Sequence, residues 1–236
     1  MGNIMKLGSL YLDGKSIAPE AKYQPGQAIS FGETLPDMAI SWVPVNGLLI
    51  ADRCLLTNVS WDDLDAQGLV SGKEITVQGF RFKIRLLKVG SEEGVPNEWD
   101  AALDTAGEDD ALWHWYGKYF CGQESVRGAA SSRVIRGYDS ARSFYWLSSD
   151  YWDTSLGFRP ALEPLSTDPA ALMHGQEVLV IGRAGAVVGS LIDATAYDLV
   201  IQPNADGLIG EVSFAAKMQD STLVVDRSEI ISIATA

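Results

Sequence analysis

The sequence predicts an α+β domain with few helices over residues 1–165, followed by a small all-β domain over residues 166–236. Three observations support this division. All seven tryptophans precede residue 153. The run LEPLSTDPAALMHG, which contains Pro, Ser and Asp, is typical of a linker and places the boundary near Ser166. Short apolar segments separated by turn residues follow it, and that pattern indicates strands.

Strands of the first domain are predicted from β-branched residues, alternation and bounding glycines. Alternation is clearest over residues 74–77 and 80–84, which Gln78-Gly79 joins as a hairpin-type turn. Two helices are expected after Ser60 and Asn97, because each side chain can accept a hydrogen bond from a first-turn amide. The predicted strands lie in GSLYLDG, GLLIADRCLLTNV, KEITVQGFRFKIRLLKV and SSRVIRG.

The second domain is predicted to contain five strands, with breaks at Gly185, Gly189, residues 204–207 and residues 219–221. So many short strands in so short a chain indicate a small barrel. The order of the segments is similar to Sm-like and SH3-like barrels. The predicted strands are EVLVIGR, AVVGSLIDA, YDLVIQPN, EVSFAAKM and TLVVDRSEIISIA.

The charge balance restricts the partners. Lys and Arg number 18 against 31 Asp and Glu, a net charge of -13, which argues against nucleic acid or an anionic membrane as the main partner. The sequence MGNIMKLGSLYLDGK has no apolar signal-peptide core, and no later run is long enough to span a bilayer. We therefore expect synthesis in the cytoplasm; association with a virion stays open.

Residues 138–154 have an unusual composition. Of the sixteen residues from Tyr138 to Asp153, six are aromatic, against 9% for the whole chain, and they follow neither strand nor helix periodicity. The segment lies between VIRG and GFRPALEPL. Gly137 and Gly157 would permit tight turns where it leaves and rejoins a sheet. Arg136 and Arg159 would each bind a carboxylate or carbonyls inside the domain, with Phe158 completing a structural frame.

Three motifs occur in a characteristic order. They are Arg85-Leu86-Leu87 with Asn97-Glu98-Trp99-Asp100-Ala101-Ala102, then Leu112-Trp113-His114-Trp115 with Tyr119, then Arg133-Val134-Ile135-Arg136-Gly137 with Gly157-Phe158-Arg159. Together they resemble the C-type lectin fold of the formylglycine-generating-enzyme type over roughly residues 50–165. Within that fold, the run from Arg136 to Glu163 resembles the phage-associated variable proteins of diversity-generating retroelements.

That resemblance implies a non-enzymatic protein whose hypervariable segment binds a protein or carbohydrate on a target surface, as a receptor-binding component of a phage or mobile element. Tyr and Trp supply rigid contact area while Ser and Asp supply adaptable hydrogen bonds. In the family the segment usually ends the chain, whereas about seventy residues follow it here. The implied ligand-binding residues are Tyr138, Asp139, Ser140, Ser143, Phe144, Tyr145, Trp146, Ser148, Ser149, Asp150, Tyr151, Trp152, Asp153 and Thr154. For the aromatics, burial in the core is the alternative.

Two other functions stay open. A degenerate member of the enzyme family would have a metal or redox role, but the cysteine pair that the oxidases need is missing between Tyr138 and Leu156. Cys54 and Cys121 lie elsewhere, and two free buried thiols are expected. An RNA-binding protein would use the Sm-like tail, which has 3 Lys and Arg against 9 Asp and Glu.

Two carboxylate clusters could be interpreted as calcium loops, because calcium prefers oxygen ligands. They are Trp61-Asp62-Asp63-Leu64-Asp65 and Gly107-Glu108-Asp109-Asp110. Neither has EF-hand spacing, so a helix start and a turn are the favoured interpretations. No cofactor is expected, and a structural calcium ion is compatible with these oxygens.

Overall fold

The computed structural model describes residues 4–165 and 171–236. The predicted boundary near Ser166 lies outside the described residues. Strands hold about 50% of the chain and helices 11%, so the fold is mostly β with a minor helical part, compatible with the predicted α+β class.

Residues 4–165 form fourteen strands and three α-helices. The strands are β1 (Met5–Leu12), β2 (Lys15–Ile17), β3 (Ala21–Lys22), β4 (Ile29–Gly32), β5 (Ala39–Val45), β6 (Leu48–Ala51), β7 (Leu56–Thr57), β8 (Lys73–Val77), β9 (Phe80–Leu86), β10 (Tyr119–Val126), β11 (Ala129–Gly137), β12 (Phe144–Ser148), β13 (Leu156–Phe158) and β14 (Pro160–Pro164). The helices are α1 (Trp61–Asp65), α2 (Glu98–Ala106) and α3 (Asp110–Trp113). No helix of residues 4–165 or 171–236 is long and apolar enough to cross a membrane.

These strands form two sheets. The first has the order β2-β1-β5-β6-β14-β9-β8, with β4 also paired to β1, and the second has the order β12-β11-β10-β13-β7-β3. Within residues 4–165 the chain passes from one sheet to the other six times, and two of these crossings run from β6 to β7 and from β13 to β14. Arg159 is the single residue between β13 and β14. The two crossings lie side by side, because the Leu55 amide donates to the Phe158 carbonyl.

The predicted caps and the predicted hairpin are confirmed. Ser60 forms a capping box with Asp63 at the start of α1, and the Asn97 side chain accepts from the Asp100 amide at the start of α2. Strands β8 and β9 pair antiparallel, and Gln78 and Gly79 have φ of 50° and 82°. Both values match a type I′ turn, whose twist suits a two-residue hairpin.

Five strands were predicted in the tail, and residues 171–236 form six: β15 (Glu177–Ile181), β16 (Gly185–Ala194), β17 (Asp198–Gly210), β18 (Ala215–Lys217), β19 (Leu223–Asp226) and β20 (Ser232–Thr235). They form a third sheet, in the order β18-β19-β17-β16-β15-β20. The last predicted strand is divided because the Asp226 carboxylate accepts from the amide and hydroxyl of Ser228 and starts a 3-10 turn. Residues 204–207, predicted as a break, lie inside β17 as a register shift, since Val187 pairs with Leu208 and Gly189 with Pro203.

The third sheet shares a hydrophobic core with the first. Its strands pair only with one another, but Leu179, Ile181 and Ala234 belong to the same buried cluster as Leu7 and Phe82. The turn between β5 and β6 adds polar contacts. The Asn46 amide donates to the Arg183 carbonyl at 2.8 Å, and the Ser232 hydroxyl donates to the Gly47 carbonyl at 2.7 Å. Val178, Val180 and Val187 lie in a second buried cluster made only of tail residues, so the two predicted units have separate sheets, one shared cluster and a cluster of the tail's own.

The contact of the tail with Gly47 can be tested with two matched glycines. Gly47 and Gly14 each end a two-residue turn, with φ of 78° and 76°. A Cβ at Gly47 would lie 2.4 Å from the Ile231 side chain, whereas a Cβ at Gly14 would meet nothing within 4 Å. We expect Gly14→Ala to cost about 1–2 kcal/mol of unfolding free energy from its left-handed backbone. Gly47→Ala should cost about 1–3 kcal/mol more, from the overpacked contact. Equal losses of unfolding free energy for the two variants in denaturant titrations would contradict the contact between Gly47 and Ile231.

Candidate functional site

The base of the candidate site is the buried guanidinium of Arg159. It lies 5.1 Å from the ring centre of Trp99 and 4.9 Å from that of Phe120. It donates to the carbonyls of Trp113 at 2.6 Å and Asp52 at 3.1 Å, and more weakly to those of His114 and Ala51. Burial lowers the pKa of this guanidinium. Arg159 therefore joins α3, the α2 face and both sheets, as the sequence predicted for a frame residue.

A second buried arginine holds the start of the segment. Arg136 forms an ion pair with Asp100 of α2 and donates to the Val89 and Ser143 carbonyls, each at 3.0 Å. Its side chain is almost completely buried, whereas that of Asp100 is half-buried. Charge-assisted bonds of this kind are about twice as strong as neutral ones. They tie the end of β11 to helix α2.

The two frame glycines act differently from each other. Gly137 is the last residue of β11 and has φ of 96°, so the chain turns there as predicted, and a Cβ would lie 2.5 Å from the Lys118 carbonyl oxygen. Gly157 was also predicted to form a turn, but it lies within β13. A Cβ there would lie 2.5 Å from the Leu56 carbonyl oxygen and 2.7 Å from the Cys54 side chain. Gly157 therefore permits a close approach of strands. Phe158, next to it, is fully buried.

Between these clamps the segment is largely exposed. Trp146 and Trp152, for which a core position was the alternative, are 58% and 56% exposed. Ten of the predicted residues are exposed: Tyr138, Asp139, Ser140, Tyr145, Trp146, Ser148, Asp150, Tyr151, Trp152 and Thr154. The other four are half-buried: Ser143, Phe144, Ser149 and Asp153.

An anchor at residues 141–144 divides the exposed part in two. Ala141 is buried, and its carbonyl accepts from the Trp99 indole at 2.8 Å. Arg142 donates to Asp104 at 2.7 Å and Glu108 at 2.6 Å, on α2 and just after it. Phe144 packs against the cluster that contains Trp99. The displayed parts are therefore residues 138–140 and 145–154.

The loop after β12 is held by its own polar groups. The Asp153 carboxylate accepts from the amide and hydroxyl of Ser155, at 2.7 and 2.6 Å. These bonds lower the pKa of Asp153. The Asp153 carbonyl accepts from the Asn58 amide, and the Ser149 carbonyl accepts from the Asp62 amide. Ser149 and Asp153 therefore position the loop.

A tyrosine outside the segment completes the face. The Tyr119 ring stacks on Tyr138 at 4.5 Å between ring centres and meets Tyr145 at 5.6 Å with the rings nearly perpendicular. The Tyr145 hydroxyl donates to Asp139 at 3.0 Å, which raises the pKa of Tyr145. Tyr116, which bridges Tyr138, is 75% exposed. Composition of the segment could not indicate Tyr116 or Tyr119, although Tyr119 belongs to the second motif.

The carboxylate clusters have local structural roles. Asp63 caps α1, Asp109 caps α3, and Asp110 accepts from the Tyr116 amide at 2.7 Å. The first cluster is the predicted helix start, while the second starts a helix instead of the predicted turn. Across residues 4–165 and 171–236, no three His, Cys, Asp or Glu side chains are grouped so that they could hold a metal ion.

Both cysteines are free and buried. Burial raises the pKa of the Cys54 thiol, and it raises that of Cys121 to about 12. Neither belongs to the exposed segment.

Comparison with known proteins gives no family for this chain. No family model matches it, and neither the curated proteins nor the solved structures provide a match. Its functional assignment depends on the geometry of the segment and its frame.

Alanine substitutions should distinguish the buried frame residues from the exposed residues of the segment by their loss of unfolding free energy. Phe158→Ala should cost about 3–5 kcal/mol, because a fully buried ring is removed. Tyr151→Ala and Trp152→Ala should each cost less than about 1 kcal/mol, as exposed positions do. Phe144→Ala, which empties a half-buried site, should fall between them. Chemical denaturation of the four variants measures this order, and losses at Tyr151 and Trp152 as large as that at Phe158 would show that the segment is core.

The depressed pKa of Asp153 predicts a pH effect. The ionised carboxylate is favoured by its bonds to Ser155, so its stabilisation is present above its ordinary pKa of 3.8 and is lost as pH falls through the lower folded value. We expect Asp153→Asn to destabilise the chain more at pH 6 than at pH 2. Unfolding titrations of both proteins at the two pH values measure the difference. A difference that is independent of pH would exclude this contribution.

Proposed function

We propose that this chain is a non-enzymatic ligand-binding protein, in which residues 138–154 recognise a protein or carbohydrate on a target surface. One observation carries the proposal. Ten exposed side chains, five of them aromatic, lie in one short segment whose two ends are clamped by the buried residues Arg136 and Arg159. Exposed aromatics of this density mark binding surfaces, since isolated domains rarely leave them in water.

We assign the first 165 residues to a C-type lectin fold like that of the variable proteins of diversity-generating retroelements. The support is that the motifs behind the resemblance meet in space. Arg85 of the first motif donates two hydrogen bonds to the Glu98 carboxylate, each at 2.8 Å, and one to the Glu163 carboxylate at 2.7 Å. Trp99 and Trp113 contact each other at 5.1 Å between ring centres beside Arg159.

We assign the tail to an SH3-like or Sm-like barrel. All its strand pairs are antiparallel, and β17 is a long strand that pairs with β16 at both ends of a register shift. Such shifts bend strands and let a small sheet curl over its own core. In this proposal the tail supports the first sheet, because its apolar face joins that sheet's core.

The chemistry near the segment supports binding over catalysis. Reactive cysteines are exposed thiolates of low pKa, whereas burial raises the pKa of both thiols here. The His114 ring lies 2.9 Å from the Arg53 guanidinium, so one ring nitrogen is already engaged as an acceptor. None of Cys54, Cys121 and His114 is on the displayed parts of the segment.

The electrostatics support a target that is neither nucleic acid nor membrane. Asp139 and Asp150 are exposed on the segment, and Arg142, the arginine within the segment, is bound to Asp104 of α2 and to Glu108 just after it. The local charge adds to the net charge of -13. Phosphate-rich partners would be repelled from such a surface.

Randomised libraries test the proposal. One library varies the ten exposed positions of the segment, and a matched library varies the four half-buried ones, Ser143, Phe144, Ser149 and Asp153. We expect most members of the first library to resist protease on the yeast surface, and most members of the second to be cleaved. Selection of the first library on immobilised lysozyme should give binders, since rigid frames tolerate loop changes.

Two outcomes would contradict this function. The first library could lose protease resistance as completely as the second, which would show that the exposed side chains are needed for folding. It could also stay folded and give no binders, which would show that the segment is not a recognition surface.

A further inference from the structure

Strand β12 is an open sheet edge within the recognition segment. It ends the second sheet and pairs only with β11, in a continuous antiparallel register that sets Tyr145 opposite Ile135 and Trp146 opposite Val134. The Ser149 amide donates to the Ser131 carbonyl at 3.1 Å in the same register. Along an antiparallel strand, the main-chain N–H and C=O groups of successive residues point alternately toward the partner strand and away from it. The main-chain polar groups of Trp146 therefore point away from β11.

These outward groups have no protein partner. Within residues 4–165 and 171–236, the N–H of Trp146 donates no hydrogen bond and its C=O accepts none, and the same holds for Phe144. The Ser148 carbonyl accepts from the Tyr151 amide, which leaves its N–H free. The edge thus offers a row of donors and acceptors over the length of β12.

The edge also lacks the usual protection. Natural edge strands are blocked by lysine, proline or a bulge. Strands β2, β3, β8 and β18 end their sheets and each contains a lysine, whereas β20, which also ends its sheet, and β4 contain none. Strand β12 reads FYWLS, with no lysine, no proline and no register shift. The exposed side chains of Tyr145 and Trp146 lie on opposite faces of this strand. The open edge between them is suited to pairing with another strand.

The charge around the edge indicates the chemistry of that strand. Asp139 precedes β12 and Asp150 follows it, and both are exposed. Of the cations nearby, Arg142 is bound by the carboxylates of Asp104 and Glu108. Arg133 contacts the Trp61 ring at 4.0 Å and the Ser125 hydroxyl, and Lys118 donates to the Thr154 carbonyl at 3.1 Å. A segment with lysine or arginine side chains would complement this edge.

We propose that the free edge of β12 binds an extended segment of a target protein that carries lysine or arginine, adding it to the sheet as a further strand. This inference rests on the proposed function and names its partner. Main-chain bonds supply affinity that does not depend on side-chain identity, while the side chains of the segment supply specificity. A second copy of this chain is the poorer occupant, because antiparallel pairing of two β12 edges would bring Asp139 of one close to Asp150 of the other.

The test compares two substitutions at one position. Trp146→Ala removes the indole and keeps the main-chain N–H, whereas Trp146→Pro removes both. The probe is a phage-displayed library of random linear peptides of about twelve residues, selected on the wild-type chain; that length exceeds a strand of ordinary size. We expect the enriched peptides to contain lysine or arginine. They should bind Trp146→Pro about tenfold more weakly than Trp146→Ala, the effect of one main-chain hydrogen bond.

Hydrogen exchange on the wild-type chain gives a readout that does not depend on how the proline variant folds. Bound peptide should slow exchange of the Trp146 amide and leave that of Tyr145, already bonded to β11, unchanged. Tyr197→Ala, which removes a 79%-exposed ring on the tail, is the matched control and should bind the peptides as the wild type does.

Several outcomes would overturn the inference. Peptides that protect no amide of β12 but lose affinity on Tyr151→Ala or Trp152→Ala would leave the recognition face intact and exclude the edge. Failure to enrich any peptide would also exclude it. A dimer in light scattering that Trp146→Pro abolishes would assign the edge to a second copy. Loss of the proposed function itself would appear separately, as failure of the randomised libraries to stay folded or to give binders.

Discussion

The buried guanidinium of Arg159 is the interaction on which the rest of this structure depends. Removing a charge from water costs several kcal/mol unless the protein replaces the lost hydration. Here the replacement comes from carbonyls of residues 51–52 and 113–114 and from the faces of Trp99 and Phe120. Those groups can meet only if the crossings from β6 to β7 and from β13 to β14, and helices α2 and α3, are in place. Satisfying one charge therefore fixes the relative positions of four separate parts of the chain.

That constraint explains why an aromatic segment can remain at the surface. Arg136 repeats the arrangement at the other end, where it binds Asp100 and the Ser143 carbonyl. Ala141 and Phe144 add a third attachment to the Trp99 cluster. With these attachments the path of the backbone is determined by buried groups, so the exposed side chains contribute little to it. A surface of this kind can change its residues at small cost to stability, which is the physical requirement for a recognition segment.

Sequence patterns predicted the parts of this architecture that depend on local chemistry. The Ser60 and Asn97 caps, the Gln78-Gly79 turn and the burial of both frame arginines each follow from a few adjacent residues. Features that depend on distant contacts were missed. The role of Gly157 depends on the Leu56 backbone of a neighbouring strand, and Tyr119 joins the face only because β10 pairs with β11. The shared core was also unpredictable, because alternation in the tail shows that a strand has an apolar face but not what covers it.

In the proposed function, the open edge of β12 changes how a variable surface can work. Binding that depends on side chains alone must be rebuilt whenever they change, and most changes then lose the target. Main-chain donors and acceptors are the same for every residue except proline, so an edge strand keeps a constant part of the affinity through substitution. The frame supplies what such an edge needs, because ordering a loose strand would consume the hydrogen-bond free energy that it gains. In this chain the strand is already ordered by β11, and its loop is already closed by Asp153 and Ser149. Burying two arginines at the ends of one short segment thus fixes the path of its backbone. A fixed path in turn allows a constant main-chain edge and replaceable side chains.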